Sequence, residues 1–269
     1  GLTMNTEEFD AHVLRMQLDG YTVLPNVFSQ EECAEAQRQL ERLAADDDSL
    51  SLECLFNKAQ VFERIYQVPH LLKFIRFFLG QDACLSGAYG SIRRPGDGNG
   101  SLHSDGSITG HNRRQSMAEA DGGQRITSHV LGLNVITCIS EFTRDNGSTQ
   151  VVPGSFTFPT LDIPSPPVPG LRVVEAPRGS ALVFNINTWH GPSCHTGMST
   201  RYALLTPWRR SWLRGEYDLA AMVHPEVLER AGEEGAAIFG LSSRIPYLEG
   251  WQWDRAEGAP KAEWSHLSR

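Results

Sequence analysis

From Cys84 to Pro207 the chain breaks into short runs rich in apolar and β-branched residues, each stopped by a cluster of Gly, Pro, Asn or Asp. The runs are Ser86–Ile92, His129–Ile139, Thr149–Val152, Leu171–Glu175, Ala181–Ile186 and Tyr202–Pro207. Strand-length runs with turns between them, and no helical stretches interleaved, predict an antiparallel sandwich or barrel and not repeated βαβ units. Upstream the pattern is helical. Thr6 can cap a helix that carries Glu7 and Glu8 in its first turn and runs to Gly20. Ser29-Gln30-Glu31-Glu32 is a capping box before a helix reaching about Ala45, and Pro69 to Leu79 reads as a further helix closed by Gly80. Tyr21 to Leu24 is a short strand candidate, and His224 to Phe239 is the best helix of the C-terminal third.

No linker divides the 269 residues, and a β sandwich or barrel of this length is commonly one domain. The expected layout is residues 1–82 mainly helical, 83–212 a β core, and 213–269 helix and loop. Met4 reads as the natural start, with Gly1 to Thr3 as the remnant of an expression tag. A net charge of −8 argues against non-specific nucleic-acid binding, which needs a basic face, and gives no reason to expect an anionic membrane as partner. Apolar runs such as Ala181 to Phe184 are far too short to span a bilayer. The five cysteines, Cys33, Cys54, Cys84, Cys138 and Cys194, are scattered and form no CxxC pair. They predict neither a disulfide framework nor a thiolate zinc site, and they fit a reducing, cytoplasmic compartment.

Three features carry chemistry when taken together. Residues two apart in an extended strand face the same side, so His103 and Asp105 of Leu102-His103-Ser104-Asp105-Gly106 can offer an imidazole and a carboxylate to one metal ion. The buried run from Ala181 leads into Trp189-His190-Gly191-Pro192, which puts a second histidine at the mouth of a barrel strand. Two histidines and one carboxylate on one face leave three coordination positions free, the geometry that suits iron(II) oxygenases. Arg201 follows in an apolar strand expected to run beside the one ending at His190. With no structural partner visible there, it is placed to pair bidentately with a carboxylate.

At these residues the sequence resembles the phytanoyl-CoA dioxygenase family of 2-oxoglutarate-dependent oxygenases, over roughly Tyr21 to Trp212. The resemblance is densest at His103-Ser104-Asp105, at Trp189-His190-Gly191 followed by Arg201, and between them from Glu141 to Ser155. That middle stretch, Asn146-Gly147-Ser148-Thr149-Gln150-Val151-Val152-Pro153-Gly154-Ser155, is similar to the family segment NGxTxxVPGSH. Phe156 stands where the family often has the final histidine. The resemblance implies a double-stranded β-helix (jelly-roll, cupin-like) core with His103, Asp105 and His190 as iron(II) ligands. It further implies Arg201, helped by Thr149, as the holder of the distal carboxylate of 2-oxoglutarate. Dioxygen would be the oxidant and a small molecule the substrate, hydroxylated at an unactivated C–H bond with succinate and carbon dioxide as co-products. Asp105, being neither Gly nor Ala, does not look like the halogenating relatives.

Other residues receive plainer readings. His195 is expected to be exposed or to support the site from behind, and Cys194 to be a buried or idle thiol. The pairs Arg93-Arg94, Arg113-Arg114 and Arg209-Arg210 read as solvated loop, with Arg93 or Arg94 the ones placed to face an anionic substrate. Trp208, Trp212, Trp251 and Trp253 read as packing, one of them a candidate pocket wall, and the polar loop from Gly106 to Arg125 as a lid. Two rival readings stay open: a metal enzyme of the same fold that does not use 2-oxoglutarate, and a non-catalytic ligand-binding jelly roll.

Overall fold

The computed structural model describes residues 4–46, 54–106, 126–158, 163–241, 253–254 and 259–260. Helix α1 (Thr6–Asp19) is capped by Asn5, not by Thr6. The Asn5 side chain accepts from the Glu8 N–H, and the Glu8 carboxylate takes the Asn5 N–H. Glu8 lies three residues after Asn5, whereas Phe9 holds the matching position after Thr6, so only Asn5 closes the box. Strand β1 (Tyr21–Leu24) follows. Helix α2 (Gln30–Asp46) opens on the expected box, in which Ser29 Oγ accepts from the Glu32 N–H and the Glu32 carboxylate accepts from the Ser29 N–H. Two 3-10 helices, Leu55–Asn57 and Gln60–Tyr66, lead to α3 (Pro69–Leu79), whose first-turn proline forfeits an N–H that would be unpaired anyway.

The β part contains β2 (Cys84–Leu85), β3 (Tyr89–Arg93), β4 (Gly132–Cys138), β5 (Thr149–Val151), β6 (Arg172–Val173), β7 (Ala181–Asn185), β8 (His190–Pro192) and β9 (Arg201–Arg209). A six-stranded sheet has the order β1-β7-β4-β9-β2, with β3 also on β9, and a three-stranded sheet has the order β6-β5-β8. Every pairing within the two sheets is antiparallel. Of the run Ser86–Ile92 only the part from Tyr89 is strand, and the pairing with β9 breaks between β2 and β3 because Pro207 has no N–H to return to Ser86. Ser86 donates to Pro207 O, but its own carbonyl accepts from Tyr217 and its hydroxyl from the Glu216 N–H. The break thereby ties the segment after β9 to the sheet. Short helices α4 (Leu219–Met222) and α5 (Pro225–Ile238) and the small pair β10 (Trp253–Asp254) and β11 (Ala259–Pro260) complete the described elements.

Period-two alternation divides the large sheet between two cores. Leu133 and Val135 of β4, Ala181 and Val183 of β7, and Leu204 and Trp208 of β9 face α1, α2 and α3, where they meet Phe9, Leu40, Leu71 and Phe74. Ile136 and Cys138, Leu182 and Phe184, and Ala203 face the small sheet, where they meet Val151 and Val174. Both faces being covered explains why β7 is apolar without alternation.

Gly179 holds the corner before β7. Its carbonyl accepts from the N–H groups of Val27 and Phe28, its N–H donates to Cys138 O, and its φ is +87°. A Cβ there would stand 2.4 Å from the Phe28 carbonyl oxygen, a backbone atom that is itself held in place. Gly179→Ala is expected to destabilise the protein by roughly 2–4 kcal/mol. The check is a lower urea midpoint at unchanged slope.

Candidate metal centre

Residues 100–103 lie antiparallel along β8 and extend the small sheet. Gly100 donates to Pro192 O at 3.0 Å, and His103 and His190 exchange both backbone hydrogen bonds at 2.8 and 2.9 Å. The expectation that a strand runs straight into His190 is not met. Strand β7 ends at Asn185, whose side chain accepts from the Asn187 N–H and whose carbonyl accepts from Thr188, and this turn carries the chain across to the other sheet. His190 therefore opens a separate strand.

The backbone exchange brings the two imidazoles to 4.2 Å between ring centres. His190 Nε2 is 3.2 Å from Asp105 Oδ2, and His103 Nε2 is 3.8 Å from Asp105 Oδ1. One ligand atom from each of the three residues falls within 4.8 Å of the others. Each histidine directs Nδ1 at the carbonyl two residues upstream, His103 at Ser101 (3.0 Å) and His190 at Thr188 (2.8 Å). A carbonyl only accepts, so Nδ1 donates in both rings, and Nε2, the nitrogen facing Asp105, is the one whose lone pair the neutral ring can give to a metal. Asn134 donates to Asp105 Oδ2 at 2.5 Å and Phe184 stacks against His190 at 4.4 Å, fixing the carboxylate and one ring.

Burial opposes charge on both partners, yet their pairing prevails. Burial pushes the Asp105 carboxyl up, but the His190 and His103 imidazoles and the Asn134 amide hold it well below the usual carboxylate range. Burial likewise pushes His190 down, and the adjacent Asp105 with the Thr188 carbonyl raises it above the ordinary imidazole value.

Arg201 is buried at the start of β9. The expectation that this strand lies beside the one bearing His190 is also not met, because β9 pairs with β3 and β4 and sets Arg201 opposite Arg93. The guanidinium lies 4.6 Å over the Phe142 ring, and its Nε has no hydrogen-bond partner. No carboxylate among the described residues forms an ion pair with it, and burial lowers it to about 10. A buried cation without a counter-ion is costly, which marks the place for an anion. Thr149 is buried on β5, and one cavity of about 900 Å³ reaches His103, Asp105, His190, Thr149 and Arg201.

Several secondary readings change. His195 is buried, with Nε2 on Ser199 O, and stays outside this cavity. Cys194 is exposed. Arg210 is no loop charge: it donates to the carbonyls of Phe78, Leu79 and Val130, and Arg209 is half-buried beside it. Trp208 is core, Trp212 is exposed, and Pro207 and Tyr89 wall the cavity instead. Residues 107–125, expected as a lid, and Trp251 lie outside the described residues. Asn134 was missed. Its signal was a lone amide inside the apolar run Leu133–Ile136, on the face shared with Ile136.

Two histidines and a carboxylate with open positions between them are the donor set of mononuclear non-haem metal centres, here carried on antiparallel sheets. The chain belongs to the phytanoyl-CoA dioxygenase (PhyH) family, whose model matches residues 16–203. It is 28% identical over 209 residues to the dioxygenase af480 of Aspergillus fumigatus, covering 70% of this chain and 62% of that protein. The match thus spans about three-fifths of the length of that curated relative. In fold it is similar to HygX of Streptomyces hygroscopicus, solved with nickel and 2-oxoglutarate, at a TM-score of 0.61 and 20% identity over 79% of this chain and 90% of that one. It is also similar to the epimerase SnoN, solved with Fe3+, alpha-ketoglutarate and nogalamycin RO, at 0.57 and 16% over 77% and 85%. No helix among the described residues is long and apolar enough to cross a membrane.

Two outcomes follow from this geometry. His190 in the metal-free protein contributes stability that is complete below about pH 6.5 and is lost as pH rises through its raised folded value. Asp105→Asn removes the cause, so the melting temperature of the metal-free variant should vary less between about pH 6 and 8. Asn134→Leu should weaken divalent-metal binding roughly 10- to 100-fold without unfolding the protein, as equilibrium dialysis with calorimetry would show.

Proposed function

We propose that the chain is an iron(II)- and 2-oxoglutarate-dependent dioxygenase that oxidises, by hydroxylation, an unactivated C–H bond of a small molecule. Its core would be a double-stranded β-helix within one catalytic domain. The observation that carries this reading is the buried, unpaired guanidinium of Arg201 in the same cavity as the His103–Asp105–His190 cluster. A metal site without a cosubstrate carboxylate would leave that cation uncompensated.

His103, Asp105 and His190 would hold the iron. The fit is chemical: two Nε2 lone pairs held ready by Nδ1–H donation, and one carboxylate kept ionised. Arg201, with Thr149 across the cavity, would receive the distal carboxylate of 2-oxoglutarate. When bound, iron(II), 2-oxoglutarate and dioxygen supply the oxidising equivalents that remove hydrogen from the substrate, with succinate and carbon dioxide as co-products. The protein contributes orientation and dryness. Phe142 beneath Arg201 and Phe184 beside His190 support those two side chains with rings, and the Nδ1–H donors keep each imidazole from turning. The cavity is far larger than 2-oxoglutarate needs, which leaves room for a substrate of drug-like size. HygX has been solved with hygromycin B bound, and SnoN with nogalamycin RO, which supports a small-molecule substrate. Five free cysteines support a reducing compartment such as the cytoplasm.

Anaerobic titration with iron(II) and 2-oxoglutarate tests the reading through the visible metal-to-ligand charge-transfer band. The parent should develop the band, His190→Ala should abolish it, and Arg201→Ala should raise the 2-oxoglutarate concentration it needs at least roughly tenfold. A folded parent without the band would return the chain to the two rivals, a metal enzyme that does not use 2-oxoglutarate or a binding module.

A further inference from the structure

Strands β3 and β9 are paired in register along the cavity wall, with Tyr89 opposite Leu205, Ser91 opposite Ala203 and Arg93 opposite Arg201. Directly opposed residues of an antiparallel pair put their side chains on one face, with Cβ atoms roughly 4.5–5.5 Å apart. Arg93 and Arg201 both line the cavity, so two guanidiniums share its inner end.

Arg93 is held by more contacts than its neighbour, yet it too lacks a close counter-ion. Its side chain is 18% exposed, and its Nη2 donates to the carbonyls of Gly98 and Ser193. Its Nε is buried without a hydrogen-bond partner. Asp97 Oδ2 is 3.9 Å from that Nε, too far for a hydrogen bond, and already accepts from the Arg94 N–H at 2.8 Å. The proximity of Arg93 also adds to the cost of charging Arg201. Two largely buried cations therefore face one distant, half-exposed carboxylate, and the cavity end is short of negative charge.

We propose that Arg93 and Arg201 form a two-guanidinium clamp on the distal carboxylate of the 2-oxo acid, which makes Arg93 a positioning residue that sets cosubstrate specificity. This rests on the cosubstrate reading above. A carboxylate has about four lone-pair sites, enough for the Arg201 fork and for the Arg93 Nη1 donors, which Gly98 and Ser193 leave free. A 2-oxo acid ending in a methyl group leaves Arg201 without a counter-ion and Arg93 with only the distant Asp97, so the clamp acts chiefly by rejecting monocarboxylates. The two carbonyls on Nη2 hold the Arg93 guanidinium in place before any ligand arrives.

The test compares 2-oxoglutarate with 2-oxopentanoate, the five-carbon acid in which a methyl replaces the distal carboxylate. Dissociation constants for each would be read anaerobically on the iron(II) protein from the charge-transfer band, for the parent and for Arg93→Gln. Glutamine keeps a donor for Gly98 and Ser193 and removes the charge. The expected result is a fall in the 2-oxopentanoate to 2-oxoglutarate ratio of roughly five- to tenfold, through weaker 2-oxoglutarate binding. Equal weakening of both acids, with the ratio unchanged, would assign Arg93 a merely structural role and overturn the clamp alone. A folded parent that gives no band with 2-oxoglutarate would overturn the cosubstrate reading, and the clamp with it. Should Arg93→Gln fail to fold, the same ratio measured on Arg93→Met, which keeps the aliphatic stem, decides the matter.

Discussion

Two backbone hydrogen bonds, 2.8 and 2.9 Å long, join His103 to His190, and most of the site depends on them. They set the edge of the small sheet, bring two imidazoles from distant parts of the chain side by side, and leave Asp105 to close over them. Side-chain chemistry then rests on backbone pairing, the stiffest interaction a sheet offers. The large sheet serves as the counterpart, supplying Asn134, Phe184 and Arg201 from the inward faces of β4, β7 and β9. A cavity with a polar floor becomes possible because the opposite face of that sheet is sealed by helices.

What was legible in the sequence was mostly local. The Ser29–Glu32 box, the Pro69 start and the β rhythm after Cys84 each need only neighbouring residues to be recognised, and each reappears in the fold. The cluster of His103, Asp105 and His190 was legible because its spacing matched a family pattern. What failed was pairing over distance. The route into His190 was misjudged because Asn185 and Asn187 build a turn inside what looks like one continuous apolar run. The neighbour of Arg201 was misjudged because β4 inserts between β7 and β9, a matter of sheet order on which hydrophobic alternation is silent. Asn134 acquires meaning only when another strand delivers a partner to it, and Arg93, legible as a charge placed to face an anion, meets Arg201 only through sheet pairing.

Charge is distributed unequally between surface and interior. The chain carries a net −8, yet the inner end of its cavity holds Arg93 and Arg201 with little to balance them. The acidic surplus lies elsewhere, much of it along α2 and α5. An anion approaching such a protein meets mild repulsion outside and strong attraction within. Selection then occurs in the cavity, where the effective dielectric is low, and not in the encounter.

Both proposed metal-binding histidines use the same small device, an Nδ1–H bonded to the carbonyl two residues back along the chain. Each ring is held first by its own segment of chain, and for His190 the Phe184 ring adds a second support. The hydrogen bonds that orient the two rings are thus made by the protein itself and do not depend on a bound ion. In a zinc finger the ion is the keystone and its loss is collapse. Here the ion is a guest in a furnished room, and its departure leaves the furniture standing.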